Sequence, residues 1–316
     1  GDNELKSGDY NAGLEKNGHE SEGTLTIKDD NDTKGSLTAE GGEDGAGIGG
    51  GKESSGATNI EITGDALVSA GSSGSAAIGS GESSTGETTI NIHDTNPEKG
   101  VKSAFAYGGA GIGSGRYAKG KTYVTISNAS VSTLETPAAS TNTSGAGIGT
   151  GYGSQSNADI TITESTVKAV GGTGAAIGSG SEGDVFSPPT GDPNTFKTII
   201  RITDSNVTAS SGPSAAIGSG SYSTNATEIH IYSADDLVQL SKSCKLDTYS
   251  QGKTVYLDND VDLSGSDFVP IPTFGGMFEG QGHTVSGLEL SGDASHMGLF
   301  RYVQAVGTVR DLKITG

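Results

Sequence analysis

Carboxylates and aromatic rings are the side chains in this 316-residue sequence whose number and spacing invite chemistry. Glu182 and Asp184 share a long loop with Asp192, and Asp258, Asp260 and Asp262 alternate along one extended segment. Glycosidic bonds are cleaved by two carboxyl groups about 5–5.5 Å or about 6.5–9.5 Å apart, one of them held protonated. Alternate residues of any strand lie roughly 6.5–7 Å apart at Cα, so a solvated acidic face accounts for Asp258 and Asp260 equally well. The same three aspartates offer hard oxygen ligands and are the candidate metal residues, with Ca2+ the one cofactor the sequence suggests. Tyr117, Tyr152, Phe186 and Tyr222 each follow an Ile-Gly pair by a few residues. Rings repeated in this way suit the apolar faces of sugars, and with Glu182 and Asp184 they form the candidate ligand-binding set. No residue qualifies as catalytic. The histidines lack metal-type spacing, and the Gly-x-Gly segments are not followed by the Lys-Ser/Thr or the helix of a phosphate loop.

Those rings are placed by a repeat. A Gly/Ala-Ile-Gly-x-Gly cassette recurs around Ile48, Ile78, Ile112, Ile148, Ile177 and Ile217, at intervals of 29 to 40 residues. Ahead of each cassette runs an apolar-polar-apolar triplet, such as Ile60/Ile62, Ile90/Ile92, Val124/Ile126 and Ile160/Ile162, which is the period-two signature of a strand. Between triplet and cassette lies a second short strand, marked by Leu37/Ala39, Val68/Ala70, Val167/Ala169 and Val207/Ala209. None of the three strands can bury its apolar residues alone, so successive repeats must stack with like strands in parallel. The predicted fold is all-β: a single-stranded, right-handed parallel β-helix with three strands per coil. Small residues in the cassette then mark a corner, where positive φ or close approach of two walls excludes side chains.

After Ile231 the cassette ends. Ser233 caps a predicted short helix near 233–244, in which Leu237, Leu240 and Cys244 share one face. Thr254–Leu263 alternates strictly and reads as one further strand, with Val255, Leu257, Val261 and Leu263 inward and the three aspartates outward. Two segments follow, a β-helix of cassette coils over 1–232 and further coils over 233–316. The run from Phe274 to Leu288, with Met297-Gly-Leu-Phe300 and Gly307–Gly316, resembles the GLUG motif of bacterial surface proteins. The upstream cassettes resemble repeats of large, adhesin-like secreted proteins of gut Firmicutes. That resemblance implies a right-handed β-helix in a larger multi-domain chain that is secreted or displayed on a bacterial cell surface, and it brings no catalytic residues with it.

A net charge of −19 and a pI near 4.5 disfavour nucleic acid and anionic membranes as partners. A single cysteine excludes an intrachain disulfide framework, and no stretch reaches the length of a transmembrane helix. The function expected is a non-catalytic extracellular module that presents a loop-rich edge to a glycan or host surface ligand, or serves as a rigid stalk. The alternative is a polysaccharide-degrading hydrolase or lyase using an acidic groove.

Overall fold

The computed structural model describes the chain apart from residues 17–18, 20–21, 31–34, 98–99, 106–107, 136–143, 182–196, 212–213, 221–225, 289–297 and 316, and apart from the side chains of residues 104–105, 134–135 and 226–227. Packing divides it into two units, Gly1–Thr198 with Ser205–Asn225, and Ile199–Asp204 with Ala226–Gly316. The sequence division at 232 falls inside the second. Among the described residues no helix is long and apolar enough to cross a membrane.

In the first unit every pairing described is parallel and in the register that the repeat demands. Leu25, Ile60, Ile90, Val124 and Ile160 share one column of the first wall, and Ile27, Ile62, Ile92, Ile126 and Ile162 share the next but one. The second wall runs through seven strands, from Asp2–Lys6 to Asn206–Ser211, and stacks Leu37 on Val68, Ala39 on Ala70, and Val167 on Val207. The third wall consists of two-residue strands, and its cassettes align from Ile48 through Ile78, Ile112, Ile148 and Ile177 to Ile217. From Ile48 to Ile177 these isoleucines are wholly buried, each stabilising the coil by about 1.5–3 kcal/mol relative to exposure. The result is a parallel β-helix with three strands per coil.

Two features of the cassette follow from this stacking. Gly113 and Gly149 hold φ of +141° and +136°, and a Cβ on either would overlap the carbonyl oxygen of the matching glycine in the next coil. After the first cassette, where x is Gly50, the x position is Ser or Thr, and in four of these cassettes its hydroxyl accepts from the next coil. Ser80 receives the Gly115 N–H, Ser114 that of Gly151, Thr150 that of Gly180 and Ser179 that of Gly220, each at 3.1 Å. This satisfies a buried donor at each of these four steps.

The second unit begins with the helix Ala234–Ser243. Ser233 and Asp236 form a reciprocal capping box, and Leu237, Leu240 and Cys244 are buried. Strands Ala226–Ile231, Lys253–Leu257, Met277–Glu279 and Thr308–Arg310 then pair in parallel. The single strand expected over Thr254–Leu263 is in fact two, Lys253–Leu257 and Val261–Asp262. All four apolar residues are buried as expected, but the chain turns at Asp258–Asp260, so the three aspartates do not share one strand face. Phe274, Phe278 and Phe300 cluster, with Phe278 edge to face on each of the other two.

Candidate functional site

Stacking repeats turns residues at equal distance from the cassette into columns. The fourth residue after each isoleucine is Lys52, Glu82, Arg116 and Tyr152 in successive coils, and the fifth is Glu53, Ser83, Tyr117 and Gly153. The fifth position is left-handed throughout, with φ of 55°, 55°, 57° and 61°. Its N–H donates to the fourth residue of the next coil: Glu53 to the Glu82 carbonyl, Ser83 to Arg116 and Tyr117 to Tyr152, at 2.8–2.9 Å. The corner is also tied to the turns that precede the cassettes. Lys52 N–H donates to the Tyr10 carbonyl, Glu82 to Asp44 and Tyr152 to Gly108. The side chains here are therefore carried on fixed backbone.

The column alternates in charge. Lys52 Nζ donates to Asp44 Oδ2 at 2.8 Å and lies 3.7 Å from Glu82 Oε1. Arg116 donates to Glu82 through Nε and Nη2, and Nη2 lies 3.4 Å from Asp44 Oδ1. Burial opposes ionisation of Asp44, but hydrogen bonds with Lys52 and Glu82 and the charges of Lys52 and Arg116 hold its carboxyl below the ordinary value. The cations also meet rings: Lys52 Nζ lies 5.2 Å from the Tyr10 ring centre, and the Arg116 guanidinium 5.5 Å from that of Tyr117.

Tyr117 and Tyr152 meet edge to face at 5.6 Å. Gly153 makes this possible, because a Cβ there would come within 2.7 Å of the Tyr117 ring. Tyr10 is 61 % exposed and Tyr117 36 %. Beside them a groove of about 460 Å³ opens between Lys6, Asp9, Glu43 and Arg116, floored by Gly41, Gly42 and Gly74.

Of the residues singled out in the sequence, Tyr117 and Tyr152 are brought together. Phe186, Tyr222, Glu182 and Asp184 lie outside the described residues. The aspartates proposed for Ca2+ take separate partners. Asp258 meets His230, Asp260 accepts from the Thr284 N–H and faces His283, and Asp262 accepts from the Ser264 N–H and hydroxyl. Among the described residues no three of His, Cys, Asp and Glu converge as a metal site would require. Sequence reading missed the Asp44, Lys52, Glu82 and Arg116 set, although aligning the cassettes one residue further would have put Lys52, Glu82, Arg116 and Tyr152 in one column.

No curated protein and no solved structure matches the chain. The model of a family described as Beta helix repeat matches residues 33–52, 160–181 and 200–221, each segment ending at or just past a cassette. Those matches agree with the parallel coils in this register, and the fold of the chain is a parallel β-helix built of repeats.

Proposed function

We propose that the chain is a non-catalytic, adhesin-like module of a secreted or cell-surface bacterial protein, and that the corner of its first unit binds carbohydrate. The observation that carries this reading is Tyr117. Its position is left-handed in all four of these coils, at a cost of roughly 1–2 kcal/mol for a residue other than glycine, and among Glu53, Ser83, Tyr117 and Gly153 it is Tyr117 that sets a ring there. The side chain gained for that strain is a partly exposed ring set against Tyr152 and Arg116. With Tyr10 it offers apolar faces flanked by hydrogen-bonding charges, which is the chemistry of a sugar platform. The uninterrupted ladder of coils also suits a rigid stalk.

The hydrolase alternative draws on Asp44 and Glu82, two carboxylates beside Arg116. Glycoside hydrolysis needs one carboxyl kept protonated, whereas both of these lie within ion-pairing distance of Lys52 and Arg116. Binding is the better-supported use of the site.

A glycan array followed by calorimetry on its hits tests the proposal. Tyr117→Gly, which copies Gly153 and keeps the turn, and Tyr152→Ala should each weaken binding about tenfold, the equivalent of about 1.4 kcal/mol. Binding unchanged in both variants, or no glycan bound by the folded wild type, would leave only the stalk role. Release of reducing ends from a polysaccharide would favour the hydrolase.

A further inference from the structure

The outer wall of the second unit carries a different cluster. Ile229 and Ile231 sit opposite Val255 and Leu257 on the inward side, so His230 and its partner Tyr256 face outward. Tyr232, just past the strand, completes a stack. Its ring centre lies 6.3 Å from that of His230 at 16°, and the Tyr256 ring lies 5.2 Å from His230 at 22°. Asp258 holds the imidazole through Nδ1 at 2.5 Å. Asp258 is itself fixed, because its N–H donates to the Ile231 carbonyl and Gln281 Nε2 donates to its Oδ1 at 2.7 Å. Burial, and then the charge of Asp258, push the Tyr232 hydroxyl above its ordinary pKa against the pull of Arg201, so it remains an O–H at neutral pH.

One atom in this cluster is unsatisfied. His230 Nε2 is buried with no hydrogen-bond partner. A carboxylate only accepts, so Nδ1 carries the proton toward Asp258, and Nε2 is a bare lone pair, or an N–H in the imidazolium. A buried polar atom left in this state is costly, and in a native fold it calls for a partner.

We infer that the ledge formed by Tyr232, His230 and Tyr256 is a second carbohydrate site, in which a sugar hydroxyl bonds His230 Nε2 while the sugar ring packs on the tyrosines. A hydroxyl both donates and accepts, so it satisfies Nε2 in either protonation state. A carboxylate ligand would satisfy only the imidazolium and would be repelled by Asp258, and an ammonium would satisfy only the neutral ring. The apolar face of a sugar matches the stacked rings, and the oxygens of Asp258 lie beside them to accept further hydroxyls. Admitting the ligand to Nε2 means displacing Tyr232, which lies outside the strand pairing and is held by its N–H on the Asp236 carboxylate and by its hydroxyl at Arg201 and Asp258, whereas Tyr256 is paired on both sides.

The test is an NMR titration of the imidazole nitrogens and tyrosine ring protons of the whole chain with cellohexaose, xylohexaose, laminarihexaose and mannohexaose. At least one should shift His230 Nε2 and Tyr256 saturably. His230→Gln and Tyr256→Ala should weaken that response tenfold or more, and Tyr256→Phe, which keeps the ring and spares the fold, should preserve it. The Tyr117→Gly/Tyr152→Ala double variant should leave it intact, so this site and the corner fail or stand separately. Silence of His230 toward every oligosaccharide, or a response unchanged by Tyr256→Ala, overturns the inference even if the corner binds.

Discussion

Lys253 offers the sharpest test of the second unit's packing. Strand parity points it inward with Val255 and Leu257, and its side chain is buried. Nζ donates to the Tyr249 carbonyl and lies 4.4 Å from the centre of the Tyr249 ring, and among the described residues it forms no ion pair with a carboxylate. Burial, only partly offset by Cys244, therefore lowers its pKa from 10.5 to about 8. Below pH 8 the amine is protonated in both folded and unfolded chains, and the full desolvation cost is present. Above pH 8 the folded chain releases the proton while the unfolded chain keeps it up to about 10.5, so the stability of the fold rises with pH. The gain is about 1.4 kcal/mol by pH 9 and of order 3 kcal/mol once the unfolded amine also titrates. Cys244, raised by burial to about 11, has the opposite slope above pH 9, because the folded chain then keeps a proton that the unfolded chain loses.

Comparing the wild type with Lys253→Met up to pH 9 cancels most of that second effect: the charge of Lys253 acts on Cys244, but the folded thiol, raised to about 11, stays protonated over that range. Urea unfolding at pH 7, 8 and 9, read as the midpoint at matched slope, should show wild type gaining about 1.4 kcal/mol on the Met variant by pH 9. A difference that stays flat, or that moves against the wild type, would mean that the amine has a counter-charge or water, and the argument from burial would fail.

The cassette makes its own predictions. Gly149→Ala sets a Cβ against the Gly178 carbonyl and should disrupt the central coils, whereas Ile148→Val one residue earlier should cost about 0.5–1.5 kcal/mol, both read by thermal melting. Ser114→Ala strips the acceptor from the buried Gly151 N–H and should cost about 1–3 kcal/mol in the same assay. On the first wall, hydrogen bonds that the His93 ring donates to Asp94 and then to Glu61 raise its pKa above 6.5. An NMR titration should find it there, and Asp94→Asn should bring it down. The stabilisation from these contacts is present below pH 6.5 and fades as pH rises through the folded value.

The coil was legible because stacking places chemically identical residues in one column. Ile60, Ile90, Val124 and Ile160 announce their register by repeating, and the same holds for the Ile-Gly corner, whereas the helix begun by Ser233 was legible from its cap and from the spacing of Leu237, Leu240 and Cys244. The missed features break that logic in different ways. Lys253 has inward parity but a charge, so a pattern built on apolar residues passes over it. Asp258 lies on a turn that alternation disguised as strand, which hid its bond to a histidine 28 residues earlier. Asp44 belongs to the turn before a cassette and reaches Lys52 and Arg116 only because the corner folds back on the preceding turn.

This division of labour within a coil explains where function can be placed. The isoleucines, the cassette glycines and the x-position hydroxyls are each fixed by the coil above and the coil below, so a change there is felt by neighbours on both sides. The fourth residue after the isoleucine is also held by backbone hydrogen bonds, but its side chain leaves the stack. It passes from Lys52 through Glu82 and Arg116 to Tyr152 without disturbing the register. Tyr117, one residue on, tolerates a left-handed backbone because the turn is already set by its neighbours and because Gly153 leaves space for its ring. A β-helix thus separates columns that must repeat from columns free to differ. On this chain the free column at the corner carries the paired charges and Tyr152, the neighbour of partly exposed Tyr117, so variation among coils, more than the repeat itself, marks the surface proposed for binding.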